Sequence, residues 1–121
     1  MNTYLKGLRN ENKAISEMEK LGFKCFRAKI TRFNNNDFFG LFDIVAVKKY
    51  YPCVWIQVKS NSVKKKVIED ITNFAKENFG NQNIALIMVC HNRKGFETTS
   101  ISVAGNSFAE SLKVTKRIYI T

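Results

Sequence analysis

Asp43, Gln57 and Lys59 are three polar residues whose types and spacing could carry out catalysis. Gln57 and Lys59 stand two apart in a segment, Cys53–Lys59, whose alternate positions are apolar. Side chains two apart in a strand project from the same face of a sheet. Asp43 opens the preceding β-rich segment and can face the same side if the strand register permits. Because burying an acid, an amide and an ammonium is costly without mutual use, the three residues form a candidate catalytic centre.

The chemistry that these residues favour is the binding of a hard divalent cation beside a phosphodiester. Mg²⁺ prefers oxygen ligands, retains several waters, and is commonly held by one or two carboxylates plus substrate phosphate. The Asp43 carboxylate, the Gln57 side-chain oxygen and the backbone carbonyl of Val58 could supply the protein oxygens. Lys59 could orient or deprotonate the attacking water, or stabilise the charge developing on the phosphate. The expected cofactor is therefore Mg²⁺, with Mn²⁺ as a substitute.

Glu11 is a second candidate acid, on a different element. It lies three residues after Leu8 and four before Ile15, which places it within the apolar stripe of a predicted helix. A glutamate in this position either extends from the edge of the stripe to solvent or a lysine, or it faces inward and helps to build a site. An inward-facing Glu11 could reach the metal directly or through a water.

The elements that must position these residues can be read from the hydrophobic pattern. Apolar residues recur at helical spacing over Leu5–Met18, and Gly22 follows as a C-terminal cap. Phe23–Ile30 is rich in strand formers. Thr31–Phe39, with its run of asparagines, is typical of an irregular loop.

The second half of the chain continues the alternation of strands and helices. Phe42–Lys48 and Cys53–Lys59 predict a β-hairpin, which would bring Asp43 near the second strand. An amphipathic helix is predicted from Val63 to Asn78. Ile84–Cys90 is nearly continuously apolar, as expected of a strand covered on both faces, and Phe96–Ala104 alternates like a further strand.

The last segments predict a short helix over Ser107–Lys113 and a terminal strand over Arg117–Ile120. The order of elements is roughly αβββαββ before this tail. Such an order predicts an α/β protein with a central mixed β-sheet flanked by helices. With 121 residues, no repeats and a single proline, residues 1–121 are expected to form one nuclease domain.

The chain is strongly basic. Its 20 Lys and Arg residues against 10 Asp and Glu give a net charge of +10. An excess of this size favours a polyanionic partner, because each neutralised phosphate releases condensed counterions. The alternative is a basic surface that serves solubility alone. DNA is the partner that also suits the proposed metal chemistry.

Cysteine usage and the absence of targeting signals indicate a reduced, intracellular setting. Cys25, Cys53 and Cys90 are far apart and contain no CxxC pair, so we expect reduced and mostly buried thiols rather than a zinc site. The longest apolar run is much too short to span a bilayer, and the amino-terminal residues lack the apolar core of a signal peptide. The expected location is the cytoplasm, that of the host cell if the protein is viral, without membrane association.

Three segments in order resemble the archaeal-type Holliday junction resolvases of the PD-(D/E)xK nuclease superfamily. They are KGLRNENKAISEMEKLGFKCFRA at 6–28, GLFDIVAV at 40–47 and WIQVKS at 55–60. The resemblance is best over residues 6–60 and looser beyond. It implies a restriction-endonuclease-like core, a homodimer with two Mg²⁺-dependent active sites, and paired nicks across a four-way junction during DNA recombination and repair.

Carried over residue by residue, the resemblance assigns Glu11 to the helix-one glutamate, Asp43 to the metal-binding aspartate and Lys59 to the catalytic lysine. Gln57 departs from the usual glutamate of the E-x-K element. The change removes one negative charge, so metal binding should be weaker or depend more on Glu11 and DNA phosphate. Mrr-like and VRR-type branches of the superfamily use Q-x-K. Thr31 is the hydroxyl nearest to the serine that the family places before the aspartate strand.

Basic residues near the proposed site along the chain are candidate phosphate contacts, since such contacts position a protein on DNA. The predicted DNA-binding residues are Lys6, Arg9, Arg27, Lys29, Thr31, Arg32, Lys64, Lys65 and Lys66. A lysine run is also typical of a solvated face. Phe38 and Phe39 could stack at a distorted junction or pack in the core. Trp55 is interpreted as a core or dimer-interface residue.

Three functions follow from these observations. The first is an endonuclease that resolves branched DNA. The second is an Mrr- or VRR-type nuclease that cuts duplexes, flaps or ends with the same metal site. The third is a catalytically inactive DNA-binding module. Gln57 is the reason to consider it, because glutamine replaces the glutamate that is usual in the active nucleases.

Overall fold

The computed structural model describes residues 3–28, 37–91, 94–103 and 114–120. The helices and strands in these residues are α1 (Thr3–Lys20), β1 (Lys24–Arg27), β2 (Ile44–Val47), β3 (Cys53–Ser60), α2 (Lys65–Asn78), β4 (Asn83–Cys90), β5 (Phe96–Val103) and β6 (Lys116–Ile120).

The strands form one mixed sheet in the order β1-β2-β3-β4-β5-β6. Strands β3 and β4 pair in parallel, as do β5 and β6, and the other neighbours are antiparallel. Parallel neighbours need a crossover connection, and α2 provides it between β3 and β4. The predicted mixed sheet with helices is therefore confirmed.

The two helices cover opposite faces of the sheet. Along β3, Val54 and Ile56 belong to the core cluster that contains Met18 of α1. Trp55, between them, packs against the cluster that contains Ile71 of α2. Because successive side chains of a strand alternate between faces, each strand position is assigned to one helix.

Strand β4 lies at the centre of this arrangement. Residues 84–90 are all buried, because even positions pack under α1 and odd positions under α2. The prediction of a strand covered on both faces is confirmed. A continuously apolar sequence is what such a strand requires.

Helix α1 ends at the glycine that the sequence marks as its cap. Gly22 has φ +93°, a left-handed conformation that glycine adopts without steric cost. The backbone N–H of Phe23 donates to the Met18 carbonyl at 3.1 Å. Lys48 Nζ, from the turn after β2, donates to the Leu21 carbonyl at 2.8 Å. The end of α1 is thus fixed to the β2–β3 hairpin.

Several boundaries differ from the sequence-based predictions. Strand β1 spans Lys24–Arg27 rather than Phe23–Ile30, and residues 29 and 30 lie outside the described residues. Strand β2 begins at Ile44 rather than Phe42, because Phe42 pairs with Phe38 instead of with β3. The predicted helix over Ser107–Lys113 lies outside the described residues.

The cysteines are less buried than expected. Cys90 is buried, whereas Cys25 and Cys53 are half-buried, and all three are free thiols. Burial raises the pKa of the Cys25 and Cys53 thiols, which disfavours the reactive thiolate. Within the described ranges, no helix combines the length and apolar character needed to cross a membrane.

Shortening a buried side chain of β3 should destabilise the fold. Ile56 is fully buried, so Ile56→Ala should lower the free energy of unfolding by about 2–5 kcal/mol, through lost transfer energy and a cavity. Val47→Ala on β2, where the side chain is 41% exposed, should change it by less than about 1 kcal/mol. Urea unfolding of both variants measures the difference, and equal losses would contradict this assignment of the core.

Candidate active site

Asp43 stands where β2 begins, and its backbone is held from both sides. Its N–H donates to the Ile56 carbonyl at 2.8 Å, and its carbonyl accepts from the Ala28 N–H at 2.8 Å. The side chain is 7% exposed, and its Oδ2 accepts the backbone N–H of Val58 at 2.9 Å. The carboxylate therefore takes the hydrogen bond of a backbone group in β3 and lies against that strand.

Gln57 links Asp43 to Lys59. The regular β2–β3 pairing ends at Ile44↔Ile56, and Gln57 follows directly on β3. In the amide orientation that satisfies both ends, its nitrogen donates to Asp43 Oδ2 at 3.3 Å and to the Leu41 carbonyl. Its oxygen accepts from Lys59 Nζ at 3.2 Å. The structure thus brings together the three residues that the sequence analysis singled out.

Glu11 faces inward from α1 and is almost completely buried. Its Oε1 lies 3.3 Å from Nε of Arg27, an ion pair that lacks hydrogen-bond geometry, and Arg27 also donates to the side chain of Asn12. The neighbouring Asn10 is buried and donates to the hydroxyl of Ser60 at the end of β3. These contacts fix the Glu11 turn of α1 beside the strand that carries Gln57 and Lys59.

A tight turn precedes Asp43. Phe38 and Phe42 exchange two backbone hydrogen bonds, at 2.8 and 3.0 Å, and form an isolated antiparallel bridge. Phe39 and Gly40 between them have φ +56° and +69°. Positive φ at both central residues is what a type I′ hairpin turn requires. The chain therefore doubles back immediately before the aspartate.

Asp37 is the site residue that sequence reasoning missed. In the antiparallel register of the Phe38↔Phe42 bridge, the next pair is Asp37 and Asp43. Side chains of such directly opposed residues lie on the same face and close together. The signal that could have found it is Gly40 flanked symmetrically by apolar residues, since a turn centred there places Asp37 opposite Asp43. The sequence analysis predicts an irregular loop over Thr31–Phe39, whereas Asp37–Phe39 belong to this turn.

The buried carboxyl groups repel one another. Burial raises the pKa of Asp43 to about 7; the hydrogen bond from Val58 opposes this shift, and the charges of Glu11 and Asp37 add to it. Asp37 also shares a side-chain hydrogen bond with Asp43, which stabilises the protonated form. Burial likewise raises the pKa of Glu11, against the attraction of Arg27. Arg27 thus offsets only part of the effect of burial on Glu11, and no cation among the described residues opposes the shift of Asp43.

These residues fit a hydrated divalent cation better than a fully protein-coordinated one. Among the described residues, no three His, Cys, Asp or Glu side chains are arranged to hold a metal by themselves. However, Glu11 Oε1 and Asp37 Oδ1 are buried without a hydrogen bond. A cation that keeps most of its waters needs only one or two carboxylates, as Mg²⁺ does in nucleotide-processing sites.

The predicted DNA contacts fall into three groups. Lys64, Lys65 and Lys66 are exposed at the beginning of α2, and Lys66 Nζ lies 3.6 Å from Asp70. On α1, Arg9 is exposed and Lys6 is half-buried. Arg27 is turned toward Glu11, and its contact with DNA stays a prediction. The remaining residues, Lys29, Thr31 and Arg32, lie outside the described residues.

The aromatic residues near the site pack against one another. The ring of Trp55 lies 5.9 Å from that of Phe38 and 5.3 Å from that of Phe39, and its indole N–H donates to Asn83. Phe39 also lies 4.9 Å from Phe74 of α2, although it is 61% exposed. Packing is therefore the role that the contacts show for these rings.

Comparison with known proteins adds one finding. No protein-family model and no curated protein matches the sequence. The structure is similar to that of Hjc, a Holliday junction resolvase from Archaeoglobus fulgidus, with a TM-score of 0.55 and 22% identity, over 77% of this chain and 70% of that chain. The chain has the fold of an archaeal Holliday junction resolvase. The expectation of a restriction-endonuclease-like α/β fold is confirmed.

The protonation of Asp43 should make stability depend on pH. Its pKa rises from 3.8 to about 7 on folding, so between these values the folded state retains a proton that the unfolded state has released. Raising the pH across this window should therefore destabilise the resolvase fold, by on the order of a few kcal/mol. Asp43→Asn cannot release a proton and should flatten this part of the profile. Urea unfolding from pH 4 to 8 measures both proteins, and parallel profiles would contradict the prediction.

Proposed function

We propose that this chain is a metal-dependent endodeoxyribonuclease that hydrolyses phosphodiester bonds in branched DNA, and specifically resolves four-way junctions. The observation that carries the proposal is the Asp43–Gln57–Lys59 network on one hairpin, in which Asp43 and Gln57 are buried and Lys59 is half-buried, set in a resolvase fold. Inert proteins seldom bury an acid and an amide beside an ammonium group, because desolvation is costly. Perturbed carboxyl groups in such a cluster are typical of functional sites.

Each residue has a distinct role in the proposal. Asp43, the Gln57 side-chain oxygen and the Val58 carbonyl hold Mg²⁺ or Mn²⁺, with Glu11 acting directly or through a water. When bound, the cation would supply Lewis-acid chemistry that polarises the phosphate and lowers the pKa of a bound water. Lys59 orients the attacking water or stabilises the charge on the phosphate. Since the Gln57 amide nitrogen faces Asp43, the amide must turn over for its oxygen to serve as a ligand.

Electrostatics supports DNA as the substrate. The N-terminus of α2 has no side-chain cap and no acidic residue in its first turn, and three lysines gather there instead. Positive side chains at the positive end of a helix dipole destabilise the helix unless an anion binds. A DNA phosphate is the anion that the net charge of +10 would attract.

The wider proposals rest on the resemblance to the resolvases and on the composition of the chain. Residues 1–121 act as a single nuclease domain, and two copies form a homodimer whose paired sites make symmetric nicks. The protein works inside the cell, in DNA recombination and repair, without a membrane partner. An Mrr- or VRR-type nuclease would use the same site on duplexes, flaps or ends.

One observation favours a second candidate, an inactive DNA-binding module. Gln57 is neutral and its amide already bonds to Asp43, Leu41 and Lys59. Such a satisfied network needs no metal to be stable. This candidate predicts DNA binding that is unaffected by Mg²⁺ and no cleavage of any substrate.

Nuclease assays separate these candidates. The protein should nick labelled four-way junctions symmetrically in Mg²⁺ or Mn²⁺, and Asp43→Asn or Lys59→Ala should lower the rate by about 10²–10⁴-fold. Lys76→Ala, at the far end of α2, is a matched lysine control that should retain activity. Cleavage only of flaps, duplexes or single strands would replace the junction assignment, and cleavage that survives both site substitutions would remove the proposed site.

The α2 lysines should oppose stability while they support DNA binding. Lys64 occupies the N-cap with extended backbone angles, φ −72° and ψ 146°, that suit a capping serine. Lys64→Ser should therefore stabilise the protein by about 1 kcal/mol and weaken DNA binding, with a smaller salt dependence. Thermal unfolding and binding titrations at several salt concentrations measure the two effects.

Lys76→Ser removes the same charge from the last turn of α2 and serves as the control. It should destabilise slightly, because a cation is favourable at that end of a helix, and it should leave DNA affinity nearly unchanged. If Lys64→Ser and Lys76→Ser affect DNA binding equally, the α2 N-terminus is not a phosphate contact.

A further inference from the structure

The site has an apparent shortage of negative charge for holding a divalent cation. Gln57 is neutral, and its amide oxygen bonds to Lys59 Nζ at 3.2 Å. Glu11 is balanced by Arg27, whose Nε lies 3.3 Å away. Of Gln57, Glu11 and Asp43, only Asp43 offers a carboxyl group that has no ion-pair partner among the described residues. One such group and a neutral amide make a weak site, since Mg²⁺ gives up its waters reluctantly.

The hairpin at Phe38–Phe42 supplies another carboxylate at this point. Its two backbone hydrogen bonds set the register in which Asp37 lies opposite Asp43. The charge of Asp37 acts on both Glu11 and Asp43. The turn that creates this register is specific, because Phe39 accepts the left-handed conformation that β-carbons disfavour.

Among the described residues, the carboxyl group of Asp37 shares a hydrogen bond only with another acid, Asp43. Asp37 Oδ1 is buried and has no hydrogen-bond partner, and within the described residues no lysine or arginine forms an ion pair with it. Glu11 Oε1, on a side chain more than nine-tenths buried, also lacks a hydrogen bond, although Arg27 Nε lies 3.3 Å from it. A buried acid oxygen with neither a donor nor an ion pair, as at Asp37, indicates a missing positive partner.

We propose that Asp37 is a ligand of the divalent cation and supplies the negative charge that Gln57 does not. The inference rests on the proposed function, because it concerns the same site. In the usual arrangement the second carboxylate stands at position 57, two residues before Lys59. In this chain it would come instead from Asp37, in the hairpin that precedes β2. The two carboxylates approach the cation from opposed positions of one antiparallel pair.

Metal binding without DNA tests the proposal independently of cleavage. Mn²⁺ affinity is measured by electron paramagnetic resonance of the free ion, together with the Mn²⁺-induced shift in melting temperature. Asp37→Asn should weaken Mn²⁺ binding by about 10-fold or more, as the loss of a group in or next to a metal site commonly does. Glu77→Gln, an exposed acid near the end of α2, removes the same charge and should bind as the native protein does.

A charge relocation sharpens the test. Asp37→Asn combined with Gln57→Glu has the native total charge, with the carboxylate moved to β3, and should recover Mn²⁺ affinity to within a few-fold. Asp37→Glu should also retain much of it, which covers the case in which Asp37→Asn folds poorly. The single variant Gln57→Glu should bind Mn²⁺ more tightly than the native protein.

The outcomes separate this inference from the proposed function. If Asp37→Asn binds Mn²⁺ as tightly as Glu77→Gln does, Asp37 is not a ligand, even if the native protein cleaves junctions. If the native protein binds no Mn²⁺, the inference fails as well. If it binds Mn²⁺ through Asp37 but cuts no DNA, the inference stands and the proposed function is wrong.

Discussion

The hydrogen bond from the Val58 N–H to the Asp43 carboxylate is the interaction on which the site depends. It puts a side chain where strand pairing would otherwise place a backbone carbonyl, so β2 and β3 part at this point. A carboxylate that bonds to a strand's backbone lies near the plane of the sheet rather than above or below it. Groups from both faces can then reach it, which no residue within the regular ladder would allow.

This position explains how residues from opposite layers meet. Gln57 and Lys59 share the face of β3 that also carries Trp55 and packs toward α2, whereas Glu11 descends from α1 on the other face. Alternation along a strand would keep them apart. They converge because the sheet opens at Asp43. The Asn10–Ser60 hydrogen bond holds α1 at the end of β3, so that Glu11 reaches the same opening.

The sequence predicts the parts of this structure in which apolar and polar residues recur at a regular spacing. Helical spacing predicted α1 and α2, alternation predicted β3, and the two-residue spacing of Gln57 and Lys59 predicted that they share a face. Asp37 was missed because its position depends on a turn with positive φ at a phenylalanine, which propensity argues against. The partner of Glu11 was missed because residue 27 meets residue 11 only through tertiary packing.

The structure has an excess of negative charge at the site and an excess of positive charge at the start of α2. At the opening in the sheet, burial raises the pKa values of Glu11 and Asp43, and the charge of Asp37 adds to both shifts. At the start of α2, lysines crowd the positive end of a helix. Among the described residues, none of these lysines forms an ion pair with Glu11, Asp37 or Asp43. A cation relieves the first and a polyanion the second. On the proposed function, DNA and a cation bound together would relieve both imbalances, so DNA and metal should each strengthen the binding of the other.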